Sequence, residues 1–292
     1  MPGAGTGVRT SGVRDRLERL SRERPEWRHW LTLYERTLRV GEEPTWRLLH
    51  VQAEPSRSAS DPLLHGAAIF LDLRAAGRYV RRFVEDALSE TPAEDLDGLA
   101  LMRAAIDPNR ERIGELAEAA RLPAERLATL AELATGPLMR AAGERLAREI
   151  PEGWTQGYCP VCGAWPTFAE MRGLDRQRRL RCSRCGGDWR RDVLHCAYCG
   201  ERDHARQKAF GVEGEEESRR VEACDACKGY TKAIATLTAT PATKLALEDL
   251  ASVEMDLVAL ERGYRRPDSP GHAPAIRLAA LEEMPTREEA WT

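Results

Sequence analysis

From Val13 onward the chain alternates stretches rich in Ala, Leu, Glu and Arg with short breaks that carry Pro or Gly. The breaks fall at Arg24-Pro25, Glu43-Pro44, residues 54–61, Thr91-Pro92, Asp107-Pro108, Leu122-Pro123 and Gly136-Pro137. Between them the good helix formers predict helices of ordinary length. The clearest covers residues 63–88, where Ile69, Leu73, Ala76, Val80, Phe83 and Ala87 recur at steps of three and four. That is the period of a buried helical stripe. Thr91-Pro92-Ala93-Glu94 reads as a capping box with Pro in the first turn, opening a helix through Ile106. Further helices are predicted over 110–120, 123–134 and 137–150. The expectation is an all-α domain over residues 13–150, after a Gly- and Thr-rich N-terminus (1–12) read as disordered.

At Pro151-Glu152-Gly153 the helical period stops. Trp165–Ala169 and Arg179–Arg181 alternate like short strands, as do Ala209–Val212 and Arg219–Ala223 on either side of the acidic loop Glu213–Glu217. Residues 230–238 extend a further strand. The helical period returns after Thr240, an N-cap followed by Pro241. Leu247, Leu250, Val253, Leu257 and Leu260 carry it to Arg262, and Gly263 ends it. This defines a C-terminal helix over 240–266. Residues 267–292 are polar and Pro-containing, a flexible tail with one short helix near 275–283.

The strand-like region holds all eight cysteines, each in a C-x-x-C pair: Cys159/Cys162, Cys182/Cys185, Cys196/Cys199 and Cys224/Cys227. Two thiolates three residues apart on a tight turn can face one metal ion, and two such knuckles complete a tetrahedral site. Gly163, Gly186 and Gly200 follow three of the pairs and suit the left-handed residue that ends such a turn. Lys228 takes that place in the fourth, with Gly229 next. The gaps between pairs are 19, 10 and 24 residues. Pairing in order gives two sites whose long loops each hold a hairpin, as in a zinc ribbon or a rubredoxin-like module, over 151–192 and 193–239. The other pairing joins the second knuckle to the third and leaves the outer two to meet. Four thiolates suit zinc or iron, and the sequence does not choose between them. His195, beside Cys196, is an alternative ligand that four cysteines leave without a vacancy.

Competing uses of cysteine fit less well. No secretory signal opens the chain, which argues against a disulfide framework. A thioredoxin-like motif has one C-x-x-C, and iron–sulfur runs are less symmetric. The formal net charge is −3, no apolar run reaches membrane-spanning length, and no phosphate loop or nucleophile elbow occurs. The expected protein is a soluble, cytoplasmic non-enzyme; the sequence is neutral on a homo-oligomer. Arg172, Arg176, Arg178, Arg179, Arg181, Arg184, Arg190 and Arg191 crowd the first module. Few aromatics interleave with them as nucleic-acid stacking requires, so the cluster is read as a solvated hairpin or a surface for an acidic protein partner. Trp27, His29, Trp30 and Tyr34 are read as ordinary core plus a solvated face, as are His50 and His65. The Arg78, Arg81, Arg82 run is read as the solvent face of its helix.

One ordered set of residues is specific. It runs Tyr158-Cys159-Pro160-Val161-Cys162-Gly163 with Trp165-Pro166, then Leu180-Arg181-Cys182-Ser183-Arg184-Cys185 with Trp189. Cys196-Ala197-Tyr198-Cys199-Gly200 follows, then Glu222-Ala223-Cys224-Asp225-Ala226-Cys227 with Tyr230 and Lys232, and a helix ending near Gly263-Tyr264. Over residues 150–267 this closely resembles the formate dehydrogenase accessory proteins known as FdhE. The resemblance implies a cytoplasmic maturation factor with a helical domain and two rubredoxin-like modules. It implies iron more than zinc at the four-cysteine sites, and the formate dehydrogenase catalytic subunit as partner. The fold class expected is α+β: an N-terminal all-α domain, two small rubredoxin-like or zinc-ribbon metal modules and a C-terminal helix.

Overall fold

The computed structural model describes residues 7–88, 95–211 and 218–285, with side chains from Gly12 onward. In chain order the elements are α1 (Gly7–Glu23), α2 (Arg28–Val40), α3 (Pro44–Arg47), β1 (His50–Gln52), β2 (Ala68–Leu71) and α4 (Leu73–Leu88). There follow α5 (Gly98–Ile106), α6 (Arg110–Ala119), α7 (Ala124–Leu146), β3 (Phe168–Arg172), β4 (Gln177–Arg181) and β5 (Asp188–Arg190). The last are β6 (Gln207–Gly211), β7 (Arg219–Cys224), β8 (Tyr230–Thr236), α8 (Leu245–Leu250), α9 (Val253–Glu261) and β9 (Arg277–Ala280). The α+β class and the helical N-terminal region are as expected. The chain divides into two compact units that interleave in sequence. One comprises residues 32–146 and 273–292, the other residues 1–31 and 147–272.

In the first unit α7 packs against α4, α5 and α6. Ala76, Val80, Phe83 and Ala87 of α4 are buried, as the stripe predicts. The predicted start of that helix is different. Ala68-Ile69-Phe70-Leu71 is buried at every position and forms a strand, because a short continuous apolar run covered on both faces suits a sheet centre. Asp72 then opens α4 by accepting the Ala75 amide at 2.9 Å. The predicted capping box at Thr91–Glu94 lies outside the described residues; α5 is capped by Asp97, which accepts from Leu99 and Ala100. The helices predicted on either side of Gly136-Pro137 are one helix, α7, with Pro137 inside it. Leu130, Ala131, Ala134, Leu138, Met139 and Ala142 flank the proline and are buried, so packing outweighs one lost backbone hydrogen bond.

The sequence also misplaced the chain's last segment. Residues 277–280 are not flexible tail and not helix. They are β9, which pairs parallel with β2 from Ala68↔Arg277 to Leu71↔Ala280, while β1 pairs antiparallel on the other side. Leu278 and Ala279 are buried there, and a run of only four residues is too short to show its period. At the other terminus, residues 1–6 lie outside the described residues and α1 begins at Gly7, inside the stretch read as disordered.

The second unit is built on one six-stranded sheet, ordered β5-β4-β3-β8-β7-β6. Each cysteine module contributes an antiparallel meander of three strands. The two meanders join where β3 and β8 run parallel, from Phe168↔Lys232 to Arg172↔Thr236. α9 packs on β7 and β8, with Met255, Ala259 and Tyr264 closing a core over Val221, Ala223 and Tyr230. α1 reaches this layer through Arg16, whose guanidinium grips Glu248 at 3.0 and 2.8 Å.

The predicted C-terminal helix is broken at Ala251-Ser252 into α8 and α9. The cause lies in the sheet. Lys232 on β8 is fully buried, and its Nζ takes the Asp249 carbonyl at 2.8 Å and the Asp256 carboxylate at 2.7 Å. The break puts α9 out of phase with the single helix predicted. Leu247 is therefore buried as predicted, but Leu257 and Leu260 face solvent, and Met255 and Ala259 take the core. No helix among the described residues is long and apolar enough to cross a membrane.

Candidate metal centre

All four knuckles have the same backbone. In each, the amide four residues after the first cysteine donates to that cysteine's carbonyl: Gly163 to Cys159 at 3.0 Å, Gly186 to Cys182 at 2.9 Å, Gly200 to Cys196 at 3.2 Å and Lys228 to Cys224 at 2.8 Å. The cysteine amide donates in return to the fifth residue, Ala164, Gly187, Glu201 or Gly229. The closing residue is left-handed in every case, with φ of 75°, 81° and 75° at the three glycines and 58° at Lys228. The fourth turn thus keeps the shared geometry and bears the strain of a non-glycine residue, offset by the Lys228–Asp225 pair at 2.8 Å.

The knuckles meet in sequential order. Cys159, Cys162, Cys182 and Cys185 form one cluster; Cys196, Cys199, Cys224 and Cys227 form the other. Within each, the Sγ atoms all lie within 4.8 Å of one another, and the nearest pairs are 3.5 and 3.6 Å apart in the first and 3.7 and 3.8 Å in the second. No pair is bonded as a disulfide. A tetrahedron with metal–sulfur bonds of ~2.3 Å has sulfur–sulfur edges of ~3.8 Å, so both clusters fit a four-thiolate metal ion. His195 is in neither cluster; its Nδ1 faces Asp192 at 3.5 Å.

Electrostatics leads to the same need. Burial and the neighbouring thiols push Cys159 up, and the adjacent sulfurs do the same to Cys185. Cys162 is held down by hydrogen bonds from Cys159, Cys182 and Cys185. In the second cluster burial raises Cys196 to about 11 and also raises Cys227. Cys224 is held down, against burial, by the amides of Cys227 and Ala226. Left to themselves, four thiols in one place share their protons; only a cation between them lets all four ionise.

Two contacts that spacing alone does not reveal tie the clusters together. Tyr198 lies inside the third knuckle, and its ring meets Trp165 edge-on at 5.2 Å, while its hydroxyl donates to the Tyr230 carbonyl at 2.7 Å. Gly157, before the first knuckle, lies against the third: a Cβ there would stand 1.6 Å from the Ala197 carbonyl oxygen. Gly187 belongs to the first cluster itself, since a Cβ on it would lie 2.6 Å from the Cys159 sulfur. The aromatics Trp165 and Tyr198 near the first and third knuckles and the Gly-Gly after Cys185 were the sequence signals for these roles.

Four members of the arginine cluster, Arg172, Arg178, Arg179 and Arg181, are held in internal ion pairs. Arg178 is buried and pairs with Glu222 at 2.9 Å, and Arg181 is buried against Glu170 at 2.6 Å. Arg172 also bonds Glu170, and Arg172 and Arg179 both hold Asp188. Glu170 has no exposure at all. Alternation along β4 predicted the strand but not its partners, which arrive from β3, β5 and β7. The acidic loop Glu213–Glu217 lies outside the described residues.

These features define a class: two zinc-ribbon or rubredoxin-like modules fused edge to edge, carried on a chain with a separate helical unit. The comparisons name a particular group. Residues 194–270 match the family described as FdhE, C-terminal domain. A curated "Protein FdhE homolog" of Stutzerimonas stutzeri (strain A1501) is 33% identical over 138 residues, 46% of this chain and 43% of that protein. One of Aquifex aeolicus (strain VF5) is 34% identical over 116 residues, 39% of this chain and 40% of that protein. The match thus spans less than half of each relative. The crystal structure of the FdhE protein from Pseudomonas aeruginosa covers 93% of this chain and 98% of its own, with TM-score 0.53 and 20% identity, which extends the likeness in fold to the helical unit. The FdhE resemblance read from the knuckles stands.

Proposed function

We propose that the chain is a non-enzymatic, cytoplasmic accessory protein that serves the maturation of a formate dehydrogenase by binding its catalytic subunit. Two metal ions, iron or zinc, are held by Cys159, Cys162, Cys182 and Cys185 and by Cys196, Cys199, Cys224 and Cys227. They replace the core that the ribbons are too small to supply. The observation that carries the reading is the pair of four-thiolate clusters, the second of which lies within residues 194–270 that match the FdhE C-terminal domain. The client role comes from that likeness. Affinity capture of the tagged protein from its host during formate respiration at low oxygen tests it. The catalytic subunit in the eluate supports the reading, and nucleic acid without any dehydrogenase refutes it.

A second reading draws on one observation: Cys199 and Cys227 are exposed. Iron held by Cys196, Cys199, Cys224 and Cys227 would be within reach of electrons from a partner and would supply Fe(III)/Fe(II) chemistry toward the client. Visible absorbance that bleaches on reduction is its signature; a colourless zinc protein excludes it.

A further inference from the structure

Arg172, Arg178, Arg179 and Arg181 of the ribbons are held in internal pairs, whereas Arg74 and Arg78 of α4 are in no ion pair among the described residues. Arg74, Arg78 and Arg81 stand on one side of that helix, about 6 and 4.5 Å apart along its axis. They line an open cleft of about 260 Å³ between α4 and the start of α5. Its remaining walls are largely apolar: Leu73, Leu96 and Leu99, with Gly77 and Gly98 at the base. The cleft exists because the two helices meet backbone to backbone there, a Cβ on Gly98 falling 2.2 Å from the Gly77 carbonyl oxygen.

Among the described residues the carboxylates near this row make no ion pair with Arg74 or Arg78. Asp97 lines the cleft, but its Oδ1 is taken by the Leu99 and Ala100 amides, each at 3.0 Å. Asp72 is taken by the Ala75 amide. Arg81 has Glu85 at 3.6 Å, and Arg74 and Arg78 have no carboxylate within bonding reach among the described residues. Among the described residues, a protein with a formal net charge of −3 therefore presents here two guanidiniums without an ion pair and a third shared with Glu85, over an apolar floor edged by Asp97.

We infer that this cleft is a docking site for an acidic segment of a partner protein, one that carries an apolar side chain among its carboxylates. Carboxylates match the arginine row by charge and by the fork geometry of the guanidinium, and the apolar side chain matches the floor. A nucleic-acid backbone matches the charge alone: no aromatic ring lines the cleft to stack a base. The inference goes beyond the accessory reading and does not depend on it.

The test is fluorescence anisotropy with the full-length, metal-loaded protein and two labelled probes: a dodecapeptide repeating Glu-Glu-Leu, and a single-stranded DNA dodecamer. The peptide is expected to bind at low salt and to weaken as salt rises. Arg74→Glu with Arg78→Glu is expected to weaken it about tenfold, since each exposed charge pair is worth up to ~1 kcal/mol. Arg82→Glu, on the same helix but outside the cleft, is the control and is expected to change binding less than about twofold. Equal melting temperatures for the variants show that folding is unaffected. Peptide binding unchanged in the double variant, equal loss in the Arg82 control, no binding at all, or tighter binding of the DNA would each overturn the inference.

Discussion

The two cysteine clusters share one backbone design and differ in where the sheet puts them. All four sulfurs of the first are buried, Cys159 and Cys162 completely. In the second, Cys196 and Cys224 are buried while Cys199 and Cys227 face solvent. The first cluster's knuckles are covered from beyond the module: Gly163 lies against His272 and Gly186 against Ala242, whereas among the described residues nothing stands within 4 Å of a Cβ built on Gly200. The lesson is that coordination geometry is local and metal access is not. Identical C-x-x-C turns make one enclosed site and one half-open site, depending on what the C-terminal segment packs against.

The largest effect expected is from ligand loss. Cys182→Ser and Cys227→Ser should each remove one metal equivalent, measured by elemental analysis, because structural four-cysteine sites carry ~10 kcal/mol or more of apparent binding energy. The comparison adds that Cys182→Ser should lower the melting temperature more, since the first cluster anchors buried β3 and β4. Unchanged metal content in either variant would remove the metal assignment for that cluster.

Next in size is a matched pair of glycines. Gly187→Ala forces a methyl group against the Cys159 sulfur and should cost ~3 kcal/mol or more, with loss of the first metal only. Gly200→Ala meets open space, and its positive φ alone should cost about 1 kcal/mol with both metals retained. Denaturant unfolding with metal analysis reads both. Equal costs would mean that the first cluster is less tightly enclosed than its geometry indicates.

Access gives the third contrast. Under a chelator and iodoacetamide, the second cluster should lose its metal and label at Cys199 and Cys227 about 100-fold faster than the first, whose release requires local opening. Mass spectrometry of partly labelled protein resolves the sites, and uniform labelling of all eight cysteines would contradict the distinction. The smallest effect concerns the link between them. Tyr198→Phe deletes the hydrogen bond to the Tyr230 carbonyl and should cost about 1 kcal/mol. Because that bond ties the third knuckle to β8, the loss should fall on the second cluster's metal retention; an equal change in the first would show that the two respond as one.

Much of the candidate site was legible in the sequence. The pair spacing, the following glycines and the loop lengths implied two four-cysteine clusters and left two pairings open, of which the structure takes the sequential one, and the strands fell close to their places because their periods are local. Legibility failed where a distant partner decided. Lys232 on β8 breaks the C-terminal helix at Ser252, and no window around residues 240–266 contains it. Residues 277–280 look like a polar-flanked tail until β2 is set beside them. The arginines of β4 read as a solvent face because Glu170 and Glu222, which neutralise Arg181 and Arg178, come from other strands.

By itself, then, the amino-acid sequence determined the chemistry: eight thiols in four turns, the helical character of the first half and the likeness to FdhE proteins. These rest on short-range spacing, and hydrogen bonds within a turn or a helix suffice to enforce them. Only the tertiary structure decided that the two modules share one sheet through β3 and β8, that one cluster is enclosed and the other half-open, and which arginines are held in ion pairs. Those outcomes depend on burial, and whether a side chain is buried is set by elements that are remote along the chain.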